Sequence, residues 1–124
     1  MIKLTVDKIL QLQAGLKLNT LIAEQIMGWT LVDNCGWEWQ GRILNTGAWE
    51  WNPSDNIGNA WEVVQHLNWL WFKVGRENCN GIRYDASCYN TLHAKPKFHV
   101  TAKTAPLAIC HVALLATLDT KKNK

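Results

Sequence analysis

The stretch "LAICHVALLATL" near the C-terminus is apolar almost all the way round a helix, and only His111 and Thr117 break it. A helix of that kind has no face to give to water. It is buried on more than one side or lies in a subunit contact, and either case calls for packed layers. Thr104 is placed to cap it, and Pro106 is tolerated in its first turn, where a backbone N–H has no helical partner to lose.

The segments before it supply those layers. "TVDKILQLQ" reads as a helix capped by Thr5 and stopped by Gly15. "NTLIAEQIMGW" reads as a second, with Asn19 as cap, Leu18, Leu21, Ile22 and Ile26 as the apolar stripe, and Gly28 as a left-handed end. "GWEWQGRI" and "GAWEW" then alternate with a period of two, and "LNTG" between them predicts a hairpin turn. Ser54 caps the next helix in this reading, whose stripe is Ile57, Ala60, Trp61, Val64 and Leu67. Three further strands are expected in "WLWFKV", "IRYDASCYN" and "FHVTA", with "GRENCNG" and "HAKPK" as connections. Strands joined by short turns run antiparallel, and helices before and after them can cover both sheet faces. The expected class is α+β: a helix/antiparallel sheet/helix three-layer sandwich in one domain over residues 1–118. A Trp-rich hairpin is inserted at about 35–51, and 119–124 form a basic flexible tail.

Bulk properties narrow the function. No apolar run approaches the roughly 18–20 residues that a membrane span needs. The opening "MIKLTVDKILQLQ" is broken by charges and does not read as a secretory signal. The net charge is +3, and Lys121, Lys122 and Lys124 carry three of the positive charges, so the body is nearly neutral. An extended nucleic-acid footprint, with its many phosphate contacts, is therefore not expected, whereas a pocket for one small anion is compatible. Cys35, Cys79, Cys88 and Cys110 show no zinc-type spacing, so no metal or cofactor is expected and reduced thiols are the default. Cys110, within the apolar helix, reads as a small hydrophobe.

Eight tryptophans are a heavy load for 124 residues. Trp37 and Trp39 share one strand face with Glu38 opposite, and Trp49, Glu50 and Trp51 repeat the arrangement. If the two segments pair, four indoles form a wall. Such a wall can stack a nucleobase, or it can be a core or interface face built from aromatic cross-strand pairs. Trp61, on a helical stripe, reads as core.

Arg42 lies beside the Trp pairs, Arg76 falls in a turn, and Arg83 opens a strand. A guanidinium next to indoles suits a phosphate or a stacked base. Catalytic signals are sparse. "HVT" puts His99 and Thr101 on one strand face in the His-x-Thr form used by two-histidine phosphoesterases. His66, His93 and His111 all lack the Ser or Thr needed for a second copy. No phosphate-binding P-loop, nucleophile elbow or zinc-protease motif occurs. No catalytic residues are nominated.

The stretches "LIAEQIMGW" (21–29), "WNPSDNIGNAWEVVQHL" (51–67) and "TAPLAICHVALLATL" (104–118) resemble the phage ABA sandwich domain of small phage and prophage proteins. The resemblance implies a three-layer sandwich and a phage-encoded protein acting in the cytoplasm of an infected bacterium, and it carries over no catalytic set. The Trp-rich insert looks unlike the family's usual pattern. By analogy with small phage immune antagonists, the expectation is a non-enzymatic anti-defence protein. It would sequester a small nucleotide immune signal, of the cyclic ADP-ribose type or a cyclic dinucleotide. The expected ligand-binding residues are Trp37, Trp39, Arg42, Trp49, Trp51, Arg76 and Arg83. A homo-oligomer is expected to close the pocket, because the last helix is so apolar. The alternatives are a protein-binding inhibitor that docks a Trp-rich face on a host defence protein, and a phosphoesterase using His99 and Thr101.

Overall fold

A computed structural model describes residues 5–32, 36–40, 42–47, 50–68, 70–77, 81, 83–89 and 97–122. Helix α1 (Val6–Gln11) begins at Thr5, whose hydroxyl accepts from the Lys8 amide. Helix α2 (Leu16–Ile22) runs into a π-helical turn, Ala23–Met27, which Gly28 ends at φ 73°, a left-handed conformation that glycine adopts without Cβ strain. A small antiparallel sheet follows: β1 (Thr30–Val32), β2 (Gly36–Trp39) and β3 (Arg42–Gly47), in that spatial order. Helix α3 (Ile57–His66) leads to the main sheet, β4 (Trp71–Glu77), β5 (Arg83–Tyr89) and β6 (Phe98–Ala102), antiparallel with β5 central. Helix α4 (Ala105–Lys122) closes the chain.

The apolar helix organises the core. Every residue from Ala108 to Ala116 is buried. One side of α4 packs on β5, β6 and the edge of β4, and the other meets α1, α2, the π-turn and α3. Burying Ile109, Val112 and Leu114 contributes on the order of 1.5–3 kcal/mol each. The layers run from the N-terminal helices and α3, through α4, to the main sheet, an α+β sandwich as expected, but among the described residues helices cover one face of that sheet and not both. Its apolar circumference is accounted for within one chain, so it needs no subunit contact to bury it.

Alternation sets the sheet faces. Ala86 and Cys88 on β5, with Val100 and Ala102 on β6, turn toward α4 and are buried. Cys110 is fully buried among hydrophobic neighbours, and burial pushes its thiol far above the ordinary range, so it behaves as the small hydrophobe expected. Cys88, also buried and free, is raised by burial as well.

Several local expectations give way to tertiary packing. Asn19 and Ser54 are not caps. Asn19 is buried inside α2, and Asn56 caps α3 by accepting from the Asn59 amide at 2.9 Å. Asn19 Oδ1 instead accepts from the Ser54 amide at 3.0 Å and the Ser54 hydroxyl at 2.6 Å, and its amide donates to Asn52 Oδ1 at 2.6 Å. The Gly15 amide in turn donates to Ser54 Oγ at 2.9 Å. This network fastens α2 to the loop before α3.

The hairpin also turns elsewhere. Trp39 pairs with Arg42, so the chain reverses at Gln40, which takes a positive φ of 52°, and "LNTG" belongs to β3. That register keeps Leu44 against the core with Trp37, which a turn at 44–47 would forfeit. Helix α3 buries Ala60, Val63 and Leu67, leaving Ile57 53% and Trp61 49% exposed, so Trp61 is not a core residue. Strand β4 continues to Glu77 and includes Arg76. Helix α4 continues past 118 to Lys122, and Asp119 pairs with Lys97 at 2.8 Å.

Candidate functional site

The predicted wall of indoles separates into a buried part and an exposed part. Trp37 is 1% exposed and Trp51 3%. Trp29 lies between them, its ring centroid 6.2 Å from that of Trp37 and 4.4 Å from that of Trp51, with tilted planes. These three rings join the small sheet to the loop before α3; Trp37 and Trp51 are core, and Trp29 is partly buried against them. The reason is register. β2 pairs with β1 and β3, and Trp51, outside the sheet, packs inward. Trp37 and Trp51 therefore offer no ring face to a ligand in this conformation. Trp49 lies outside the described residues.

The indole nitrogens differ in their satisfaction. Trp51 Nε1 donates to Glu62 Oε2 on α3 at 2.9 Å. Trp37 Nε1 is buried with no hydrogen-bond partner among the described residues, a cost its ring burial has to offset.

Trp39 and Arg42 do come together. They are direct cross-strand partners at the hairpin end, which places their side chains on one face, and both are exposed. The Trp39 indole edge runs beside Gly28, where an added Cβ would lie 3.9 Å from Nε1. Arg76 and Arg83 are also exposed, but on the main sheet. Arg83 lies on its open face, whereas Arg76 belongs to the α4 side by alternation. The structure thus divides the predicted arginines among separate surfaces.

The histidine expectation acquires a partner that sequence reasoning missed. His99 Nε2 lies 3.2 Å from Asp85 Oδ2, and Thr101 is the register partner of Asp85. Alternation put Asp85 and His99 on outward faces, but pairing β5 with β6 required the register. His111 is taken up by the core: its ring donates to the Leu12 carbonyl at 2.8 Å, and burial lowers its pKa below the ordinary value.

A groove of about 950 Å³ opens along α1 and α2, lined by Leu12, Leu16 and Leu21 with Lys8 and Lys17 at its rim, and none of the predicted residues lines it. No group of three or more His, Cys, Asp or Glu among the described residues could hold a metal ion. No described helix is long and apolar enough to cross a membrane.

Comparison with known proteins bears on this arrangement. A crystal structure of a phage protein from Bacillus cereus ATCC 14579, at 2.0 Å, superposes with a TM-score of 0.59 at 29% identity, covering 96% of this chain and 92% of that one. No curated protein matches the sequence. The model of the phage ABA sandwich domain matches residues 20–114, which takes in the π-turn, both sheets and the buried half of α4. This chain belongs to the phage ABA sandwich domain family.

Proposed function

We propose that this phage protein is an anti-defence factor that binds and sequesters a small nucleotide immune signal of the infected bacterium, without cleaving it. The ligand class is a cyclic ADP-ribose type or a cyclic dinucleotide, and the place of action is the host cytoplasm. The observation that carries the reading is the Trp39–Arg42 corner, an exposed indole and an exposed guanidinium on one face of a short hairpin. The indole supplies a stacking surface for a base, and the guanidinium a two-pronged partner for phosphate. In this reading a second copy closes the shallow corner over the bound nucleotide.

Calorimetric titration with a panel of cyclic nucleotides tests it. Trp39→Ala and Arg42→Ala should each weaken binding by about tenfold, in line with about 1–3 kcal/mol for a stacked base. Both residues are exposed, so the variants keep the fold. Unchanged binding in both would remove the corner from the account, and no binding by the wild type would sink the reading.

A second reading draws on Ile57 and Trp61. One helical turn apart on α3 and half-exposed, they form an apolar stripe facing outward. Exposed Trp is a frequent energetic centre of protein interfaces, which suits an inhibitor that docks on a host defence protein. Loss of partner inhibition in Trp61→Ala, with nucleotide binding intact or absent, would favour it.

A further inference from the structure

The main sheet gives one face to α4 and leaves the other open among the described residues, and register orders that face into rows. Trp71 stands opposite Tyr89. The next row is Lys73, Ser87 and His99, and the one after is Gly75, Asp85 and Thr101. Trp71 is 53% exposed, Lys73 is exposed, and the His99 side chain is 47% exposed. The Lys73 ammonium lies 5.3 Å from the Tyr89 ring centroid, so a cation and two aromatic rings already share one corner.

We infer that this open face is a binding platform for a nucleoside phosphate, with the base on Trp71 and Tyr89 and the phosphate over Ser87 between Lys73 and His99. The ligand class rests on the capture reading above, and the location is argued separately. The two rings occupy one row: half-exposed Trp71 offers the stacking surface, and partly buried Tyr89 carries the Lys73 ammonium beside it. Ser87, only 5% exposed, lies at the bottom of the row between Lys73 and His99, whose strands stand roughly 10 Å apart across two strand spacings. A phosphate in this row would rest above Ser87 and be held by the two flanking side chains.

Asp85 sets the limit of the seat. Its Oδ2 is 3.2 Å from His99 Nε2, and its Oδ1 lies where a Cβ on Gly75 would come within 2.8 Å. Glycine at 75 therefore makes room for this carboxylate, which orients His99. The negative charge keeps an anion out of its own row and confines it to the Ser87 row. A second copy or a single-stranded nucleic acid would use the face differently, since neither is limited to a one-phosphate seat.

Amide and indole chemical-shift mapping with adenosine 5′-monophosphate, adenosine and a cyclic dinucleotide tests the inference. The monophosphate should shift the Trp71 indole and the amides of 71–75 and 85–89. Trp71→Ala should weaken binding about five- to a hundredfold. Lys73→Met should remove the advantage of the monophosphate over adenosine, because the phosphate and the ammonium act on each other. Shifts confined to 39–42, or full affinity in Trp71→Ala, would overturn the platform while leaving capture at the hairpin intact. Equal shifts with adenosine and the monophosphate would overturn the phosphate seat, as would self-association through this face in place of ligand binding. The absence of shifts with every nucleotide would overturn platform and capture together.

Discussion

The Trp51 indole donates to the Glu62 carboxylate at 2.9 Å, tying a buried ring in the loop before α3 to an exposed residue of that helix. Trp37, in the same aromatic cluster, buries its N–H with no partner among the described residues. The two tryptophans should respond in opposite ways to loss of the nitrogen. Trp51→Phe gives up a hydrogen bond to a charged acceptor, about 1–3 kcal/mol before allowance for the exposure of Glu62. Trp37→Phe also relieves an unsatisfied donor, which offsets the lost ring volume. Denaturant unfolding should therefore show the larger loss for Trp51→Phe, although Trp37 is the more buried. The reverse order would mean that the Trp37 N–H has a partner in solution.

Asn19 offers a second test. Asn19→Leu keeps the size of the side chain but leaves the Ser54 amide and hydroxyl and the Asn52 side-chain oxygen Oδ1 without the Asn19 partner they have now. Each buried polar group so stranded costs about 1–3 kcal/mol, so a marginal domain should lose a large share of its stability. A helix cap would cost only about 1 kcal/mol on removal. A melting-temperature loss no larger than a cap's would contradict the network.

Trp61 should be nearly silent in the fold. With half its surface exposed on α3, Trp61→Gln should change unfolding free energy by less than about 0.5 kcal/mol. A loss of about 3 kcal/mol or more, as for a core Trp, would return it to the interior.

His111 predicts a pH dependence. Burial pushes its pKa below the ordinary 6.5, and its hydrogen bond to the Leu12 carbonyl only partly pulls it back. The unfolded chain takes up a proton near 6.5, and the folded chain does so only at lower pH. Below 6.5 the unfolded state therefore binds more protons, and stability contributed by neutral His111 is lost as pH falls toward the folded value. Melting temperature should drop between pH 7 and pH 5, and less steeply in His111→Gln. Stability rising over that interval would contradict a neutral, buried imidazole.

Features decided within a few residues were legible in the sequence. Thr5, Gly28, and Thr104 with Pro106 mark helix ends through local backbone chemistry, and Thr104 Oγ1 accepts from the Leu107 amide as a cap should. The apolar circumference of 107–118 called for burial on more than one side, and α4 has it. Distant partners hid the rest. The stripe through Ile57 and Trp61 and the one through Ala60 and Val63 both have helical spacing, and only the position of α4 and the π-turn selects the second. Ser54 and Asn19 look like caps because the bond between them spans 35 residues. Of the candidate site, Arg42 was expected beside the Trp pairs, but its cross-strand pairing with Trp39 depended on a reversal at Gln40 inside what reads as a single strand over 36–43. The alignment of Trp71, Lys73, Tyr89 and His99 required the register of three strands.

The central claim is capture without cleavage, and the fate of the ligand tests it most directly. The purified protein is incubated with cyclic ADP-ribose isomers and cyclic dinucleotides, freed of unbound ligand, heat-denatured, and the released nucleotide is analysed by mass spectrometry. Recovery of an intact nucleotide in proportion to protein, and its loss in Trp39→Ala, is the result expected. Release of an altered product would instead make the protein an enzyme, with His99 and Asp85 the first residues to replace, and retention of no nucleotide would contradict the account.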